Sequence, residues 1–325
     1  MDEETGHAVG KQDIRDAFQR IYTKVRRTPI INVEAGTFGV AHPLNLKLEQ
    51  LQHTGSFKAR GALNSLLAQD VPDIGVIAAS GGNHGAAVAF AAQRHGKPAH
   101  IFVPNVTPDL KITRIEQYGA YVHVGGSLYQ DAADAADRFA AKSGGLMIHA
   151  YDQPHTIAGQ GTVALEWQEQ APDLDTVLVA VGGGGLIGGI AAWYRDSVRI
   201  VAVEPDRCST LHEALQAGTP VEVEVAGMAA DSLGARKVGE LMFPIAQDFV
   251  DATVLVNEAS IAAAQQALWQ DLRIVVEPGG AVALAALVSG AYVPAEGEKV
   301  GVLICGANAT LASIEIGGKM RPRGT

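Results

Sequence analysis

A lysine, two glycine-rich turns and a thiol at the end of an apolar run are the parts of this chain best suited to chemistry. In Thr54-Gly55-Ser56-Phe57-Lys58-Ala59-Arg60-Gly61-Ala62, Lys58 follows a small, flexible segment and precedes an apolar helical pattern. Helix starts favour anions, so a lysine there is electrostatically out of place. A functional lysine at such a point binds phosphate or forms an imine. Spacing alone favours the plainer alternative, a solvated surface lysine.

Ala79-Ser80-Gly81-Gly82-Asn83-His84-Gly85 follows a β-branched run and opens a helical one. Successive backbone N–H groups at a helix start suit a carboxylate or a phosphate. The plainer reading is an ordinary turn, with Asn83 in a left-handed conformation. His84 by itself reads as a capping or partly buried histidine rather than a catalytic one. Val181-Gly182-Gly183-Gly184-Gly185-Leu186-Ile187-Gly188-Gly189 carries more weight. A tight strand-to-helix turn needs one or two glycines, and four in a row leave a run of N–H groups clear of side-chain bulk, as a phosphate requires. The same segment satisfies the dinucleotide spacing Gly183-x-Gly185-x-x-Gly188. Glu204 then ends the next strand about 20 residues on, where a ribose-binding acid is expected. An NAD-dependent oxidoreductase is therefore a competing reading. Val302-Leu303-Ile304-Cys305-Gly306-Ala307-Asn308 ends a strand in a thiol, which packs in most proteins as a small core residue. His212-Glu213-Ala214-Leu215-Gln216 lacks the second histidine of a zinc-protease helix, Ser80 lacks a G-x-S-x-G elbow, and no P-loop occurs.

The elements that would position these residues alternate. Strands are predicted at Leu44–Leu48, Val76–Ala79, Ala99–Val103, Tyr121–Val124, Val177–Val181, Ile200–Val203, Thr253–Val256 and Val300–Ile304. Helices are predicted at Gly85–His95, Tyr129–Lys142, Ile157–Gln168, Leu186–Arg195, Ser260–Leu272 and Gly280–Ser289, with Asn257 or Ser260 as a cap. Apolar strands separated by helices imply an α/β fold with parallel strands covered on both faces. Ligands in such sheets sit at the carboxyl ends of strands, where the glycine clusters fall.

Composition narrows the classes. The chain has 325 residues, 47% hydrophobic, with a formal charge of −10. That is too apolar for a disordered chain. An acidic chain with no Lys/Arg-rich run does not suit nucleic acid. Two cysteines without metal spacing suit a reducing cytoplasm. The acidic N-terminus shows no signal peptide. Two uncharged stretches, Thr176 to Tyr194 and Pro278 to Ala295, approach membrane length. Their glycines favour buried strand-turn-helix units, so no membrane partner is expected. The 37 glycines are about 11% of the chain against about 7% in average usage, and many fall in the turns above.

Together these motifs resemble the fold type II pyridoxal-phosphate enzymes, more narrowly the serine/threonine dehydratase branch that also holds serine racemase. The resemblance runs from Lys47-Leu48-Glu49 to Asn308 and rests on GSFKARGA at 55–62, SGGNHG at 80–85, VGGGGLIGG at 181–189, and EPGGAVALAAL at 277–287 leading into ICGAN at 304–308. Ile157-Ala158-Gly159-Gln160-Gly161-Thr162 is a further match. It implies a tryptophan synthase β-like fold of two open, twisted α/β domains with the active site between them. The large domain would comprise 1–52 and 151–325, and the small domain 53–150. It implies pyridoxal 5'-phosphate as cofactor, with Lys58 joined covalently to it and Phe57 packed on its ring. Asn83 would bond the ring hydroxyl, Gly182, Gly183, Gly184, Gly185 and Leu186 would hold the phosphate, and Cys305 would face the ring nitrogen. Ser80, Gly81, Gly82, Asn83 and His84 would receive the substrate carboxylate. The implied reaction is β-elimination of water from a 3-hydroxy amino acid such as L-serine or L-threonine, giving a 2-oxo acid and ammonia. In the family, Lys58 would take the α-proton and the cofactor phosphate would help the hydroxyl leave. The resemblance also implies a homodimer.

Three details bear on the choice within the branch. A thiol at 305, with pKa about 8.5, cannot hold a proton on the ring nitrogen as a carboxylate would. That favours expulsion of the β-group over reprotonation. Serine racemases carry a serine where this chain has Gly81, and glycine can neither donate nor accept the proton. Glu204, Cys208 and Thr210 match the family's cation site, and one carboxylate among neutral oxygens suits a monovalent ion such as K+ better than Mg2+. The 17 residues after Asn308 leave no room for the regulatory domain of biosynthetic threonine dehydratases, so isoleucine feedback is not expected. A dehydratase for a bulkier or acidic 3-hydroxy amino acid, and a serine racemase, stay open as alternatives.

Overall fold

Among residues 6–309, which the computed structural model describes, ten strands form two sheets. The strands are β1 (Ile30–Val33), β2 (Leu44–Leu48), β3 (Val76–Ala79), β4 (Ala99–Val103), β5 (Tyr121–Val124), β6 (Leu146–Met147), β7 (Thr176–Ala180), β8 (Arg199–Pro205), β9 (Ala252–Val256) and β10 (Val300–Ile304). The helices in the first half are α1 (Lys11–Ile21), α2 (Lys58–Leu67), α3 (Asn83–Arg94), α4 (Asp109–Glu116), α5 (Tyr129–Ser143) and α6 (Pro154–Gln170). Those in the second half are α7 (Gly185–Tyr194), α8 (Thr210–Ala217), α9 (Ala230–Leu233), α10 (Phe243–Phe249), α11 (Glu258–Leu272) and α12 (Pro278–Val288).

The larger sheet runs β1-β2-β10-β7-β8-β9 and the smaller β5-β4-β3-β6. Every neighbouring pair is parallel except β1 with β2. All eight expected strands are present, five with the same ends and three within two residues. Two strands, β1 and β6, lay outside that expectation. Strand β1 is a four-residue edge strand whose burial does not alternate cleanly, and β6 has two residues. Neither is long enough to show a period. The two uncharged stretches fold as β7 with α7 and as α12 with its exit turn. Among the described residues, no helix is long and apolar enough to cross a membrane.

The register brings the functional segments together. Ile304 pairs with Leu48, and Val302 with both Leu46 and Leu178. The carboxyl ends of β2, β10 and β7 therefore lie side by side. They lead into the Lys58 segment, Cys305 and the tetraglycine turn, in keeping with the carboxyl-end rule.

A buried ionic cluster fixes α2 against this sheet. Arg60 on α2 donates to Glu49 through Nε at 2.8 Å and Nη2 at 2.7 Å, and to Glu166 on α6 at 3.0 Å. Lys47 on β2 donates to the other Glu166 oxygen at 2.5 Å and to the Thr28 carbonyl at 2.8 Å. All four charged side chains are buried, and two cations balance two carboxylates. Burial works against the Arg60 charge, but Glu49 and Glu166 outweigh it and hold the guanidinium protonated. Helix α2 also lies close on α6, because a Cβ at Gly159 would stand 2.7 Å from the Gly61 Cα.

Candidate active site

Lys58 is the first residue of α2, and the loop before it is stitched to the end of β10. The Phe57 N–H donates to the Cys305 carbonyl at 3.2 Å, and the Ala307 N–H to the Gly55 carbonyl at 2.9 Å. Ser56 bridges Gly306 in antiparallel fashion. Thr54 holds a left-handed φ of 59°, which is costly for a β-branched residue and persists only where its surroundings enforce it.

The Lys58 amine donates to the Ala150 carbonyl at 2.7 Å and lies 5.1 Å from the centre of the Phe57 ring. Burial pulls its pKa down to about 8, against the opposing pull of Cys305 and Glu277. The surface-lysine alternative is therefore set aside. Next to Ala150, the Tyr151 ring packs against Gly183, and the Tyr151 Cα would stand 2.8 Å from a Cβ at Gly185. The Ala150–Tyr151 segment thus has Lys58 on one side and the tetraglycine turn on the other.

That turn needs its glycines for a second reason besides anion binding. Leu233 backbone would lie 3.0 Å from a Cβ at Gly182, and Met242 presses on Gly184, whose φ is +87°. The N–H groups of the first turn of α7, including Gly185 and Leu186, have no partner within the helix and are free for an anion.

The Ser80–Gly82 loop leads into α3, with Gly82 as its N-cap. Ser80 Oγ accepts the Gly82 N–H at 3.2 Å. Asn83 donates from Nδ2 to Glu277 Oε1 at 2.6 Å, and its Oδ1 accepts from Asn308 Nδ2. His84 is buried and hydrogen-bonds the Ile148 carbonyl through Nε2 at 2.8 Å. Burial, then the nearby Lys58 charge, drives its pKa down to about 3. A neutral ring held this way positions the start of α3 and is no general acid at neutral pH.

Cys305 is buried, with Sγ 3.5 Å from the Gly279 carbonyl. Burial, and then Glu277, raises its pKa far above the ordinary thiol range, so the sulfur stays protonated. Sequence reasoning assigned no role to Glu277, although it opens the EPGG motif. It is buried, bonded to Asn83, and raised to about 7 chiefly by burial. It also missed Lys111, Arg114, Asp231 and Asn308, which line a cleft with Gly81, Gly82 and Asn83. The signal available was the i, i+3 spacing of Lys111 and Arg114 on one helix.

Glu204 stands apart from this cleft. It is fully buried; its oxygens accept the Leu211 and His212 N–H groups at 2.8 Å each, and Oε1 lies 3.2 Å from the Thr210 hydroxyl oxygen. Thr210 Oγ1 donates to the Gly182 carbonyl at 2.8 Å, and Cys208 Sγ to the Ala226 carbonyl at 3.1 Å. Burial lifts Glu204 to about 7.

A family of pyridoxal-phosphate dependent enzymes matches residues 21–306. The chain belongs to that family. An L-threonine ammonia-lyase of Geobacter sulfurreducens is 40% identical over 308 residues, covering 93% of this chain and 76% of the relative. A serine racemase of Oryza sativa is 34% identical, covering 95% and 94%. The solved structure of a maize serine racemase superposes with a TM-score of 0.88 at 35% identity, covering 94% of this chain and 96% of that one. The fold is that of the fold type II enzymes, and the dinucleotide reading of Gly183-x-Gly185-x-x-Gly188 is set aside.

The residues present fit the cofactor. A lysine lowered to about 8 supplies a neutral amine for the aldehyde, the α7 terminus supplies free N–H groups for the phosphate, and the thiol beside them carries no charge to repel a ring nitrogen.

Proposed function

We propose that this protein is an ammonia-lyase that removes water from a 3-hydroxy amino acid, with L-serine or L-threonine as the default substrate, and releases a 2-oxo acid and ammonia. The observation that carries this reading is Lys58, its pKa lowered to about 8 and its amine held on the Ala150 carbonyl beside the tetraglycine turn. When bound, pyridoxal phosphate draws electron density away from the substrate Cα and so makes its proton removable. The residues do the rest. Gly182 to Gly185 and Leu186 hold the phosphate. Phe57 packs on the ring, Asn83 donates to its hydroxyl, and Cys305 faces its nitrogen as a neutral thiol. Ser80, Gly81, Gly82, Asn83 and His84 place the substrate carboxylate at the α3 terminus. Lys58, as a free amine, takes the Cα proton. Racemisation needs a proton donor on the other face, and Gly81 offers none there.

Two domains fit this site. The six-stranded sheet draws its strands from 30–48 and 176–304, and the four-stranded sheet from 76–147, which supports a large domain of 1–52 with 151–325 and a small domain of 53–150. Glu204, Cys208 and Thr210 form the K+ site in this reading. A buried carboxylate that hydrogen-bonds only neutral groups, with the Glu213 carboxylate near enough to act on it, supports a cation there. The working unit is a homodimer in the cytoplasm. Both described cysteines are free and buried, which suits a reducing compartment.

The test is direct. Purified protein should be yellow, lose its colour with borohydride at Lys58, and release a 2-oxo acid from serine or threonine. Lys58→Ala should abolish release. A colourless protein, or an active Lys58→Ala variant, sinks the reading.

A further inference from the structure

The cleft beside Asn83 holds two cations and two carboxylates, and they are not equally paired. Lys111 on α4 is joined to both oxygens of Asp231. Arg114, one turn further along α4, has no carboxylate partner. Among the described residues its guanidinium bonds only neutral oxygens, the Thr54 carbonyl at 2.7 Å and Asn308 Oδ1. The Thr54 carbonyl comes from the residue held at a left-handed φ, so the Lys58 loop is bent where it meets Arg114. Asn308 in turn bonds Asn83, the first residue of α3. Arg114 is thus anchored to both walls of the cleft and half-buried; among the described residues it is in no ion pair, feels Glu277 only across the cleft, and lies two hydrogen bonds from the loop assigned to the substrate carboxylate.

A guanidinium in this state is a receptor for a second carboxylate, because its planar fork matches that group. Asp231 is already neutralised by Lys111. Glu277, the other carboxylate in the cleft, is tied to Asn83 and would face the incoming anion. We propose that Arg114 reads the substrate side chain and selects a 3-hydroxy amino acid bearing a second carboxylate, such as 3-hydroxyaspartate. This rests on the lyase reading above. In the reaction the Cα proton passes to the Lys58 nitrogen, and the Cβ–O bond breaks as that proton is relayed to the hydroxyl, which leaves as water. Hydrolysis of the remaining C=N group consumes one water. The net change is 3-hydroxyaspartate to oxaloacetate and ammonia.

The experiment uses the holoenzyme in two arms. In the first, L-aspartate and L-alanine, which have no 3-hydroxyl to lose, are compared as thermal stabilisers. L-Aspartate should raise Tm more than L-alanine, and the difference should vanish in Arg114→Gln and partly return in Arg114→Lys. In the second arm, kcat/KM is measured for 3-hydroxyaspartate and for serine. The wild type should favour the diacid, and Arg114→Gln should lower the ratio of the two on the order of 100-fold, mainly through KM. Equal stabilisation by the two amino acids, or a ratio unmoved by Arg114→Gln while serine is deaminated, overturns the subsite and spares the lyase reading. Arg114-dependent stabilisation by L-aspartate with neither substrate eliminated overturns the lyase reading and leaves the subsite standing. A general loss of Tm that Arg114→Lys does not restore, with the ratio unchanged, marks Arg114 as a clamp only and overturns the proposal.

Discussion

Phe57 and Cys305 are joined through their backbones, the Phe57 N–H donating to the Cys305 carbonyl at 3.2 Å. The residue before the lysine is therefore fixed to the residue that closes β10. Lys58 and the thiol cannot shift independently, although 247 positions separate them in the chain (305 − 58 = 247).

Cys305→Ser should keep most elimination, since one neutral group replaces another of similar shape. Cys305→Asp should lower kcat roughly tenfold or more, because it sets a carboxylate beside Glu277 in a site that favours neutral groups. Steady-state kinetics of the two variants with serine checks this. Equal rates for both would show that charge at 305 does not matter.

Reloading of the apoenzyme should depend on pH through Lys58. Only the unprotonated amine attacks an aldehyde, and burial has already brought this lysine to about 8. The rate of covalent cofactor uptake should therefore rise with pH and level off above about 8. A free lysine, near 10.4, would give a rate still climbing past pH 9. Stopped-flow absorbance of cofactor uptake from pH 6 to 10 distinguishes the two profiles.

Gly81→Ser tests the racemase alternative, and the structure changes how that test must be built. A Cβ at Gly81 would stand 2.6 Å from Thr107 Cγ2 and 3.0 Å from Thr107 Oγ1. The single variant should consequently lose stability and activity without gaining racemisation. Gly81→Ser combined with Thr107→Ala should recover folding and show measurable conversion of L- to D-serine. Chiral chromatography of the products reads this, and racemisation by the unmodified protein would contradict the role given to Gly81.

Much of this site was legible from residues alone. The glycine turns fell at the ends of strands because an anion site needs bare N–H groups at a helix start, and that requirement is local. Lys58 was different. Its lowered pKa comes from burial, and its placement comes from β10 and Ala150, all distant in sequence. The assignment therefore had to come from resemblance. Gly182 to Gly185 also answer to Tyr151, Leu233 and Met242 behind the turn, which no local spacing reveals. Glu277 was invisible as a titrating group because its neighbours, Asn83 and Gly306, come from other parts of the chain.

Arg60→Met should be severe. Removing the guanidinium leaves Glu49 and Glu166 facing each other in a buried space with only Lys47 to offset them. Breaking such a cluster costs about 3–5 kcal/mol. Because Arg60 lies on α2 two residues past Lys58, the loss should also loosen the lysine. Denaturant unfolding should show the drop in stability, and an unaltered midpoint would mean the cluster contributes nothing net.

The acid groups predict a pH-dependent cation effect. Glu204 is raised from an ordinary carboxyl value to about 7, so between pH 4.5 and 7 the folded chain holds a proton that the unfolded chain has lost. Stability then falls as pH rises through that window, by about 3 kcal/mol for a shift of this size, and is fully present only below it. Glu277, raised to about 7 as well, acts in the same direction. A cation bound to ionised Glu204 would offset its share. Added K+ should therefore raise Tm clearly at pH 8 and little at pH 5, relative to an equal concentration of choline chloride. Glu204→Gln should remove both the K+ response and part of the pH slope, while leaving the share due to Glu277. A K+ effect of equal size at both pH values, or one that survives Glu204→Gln, would place the ion elsewhere.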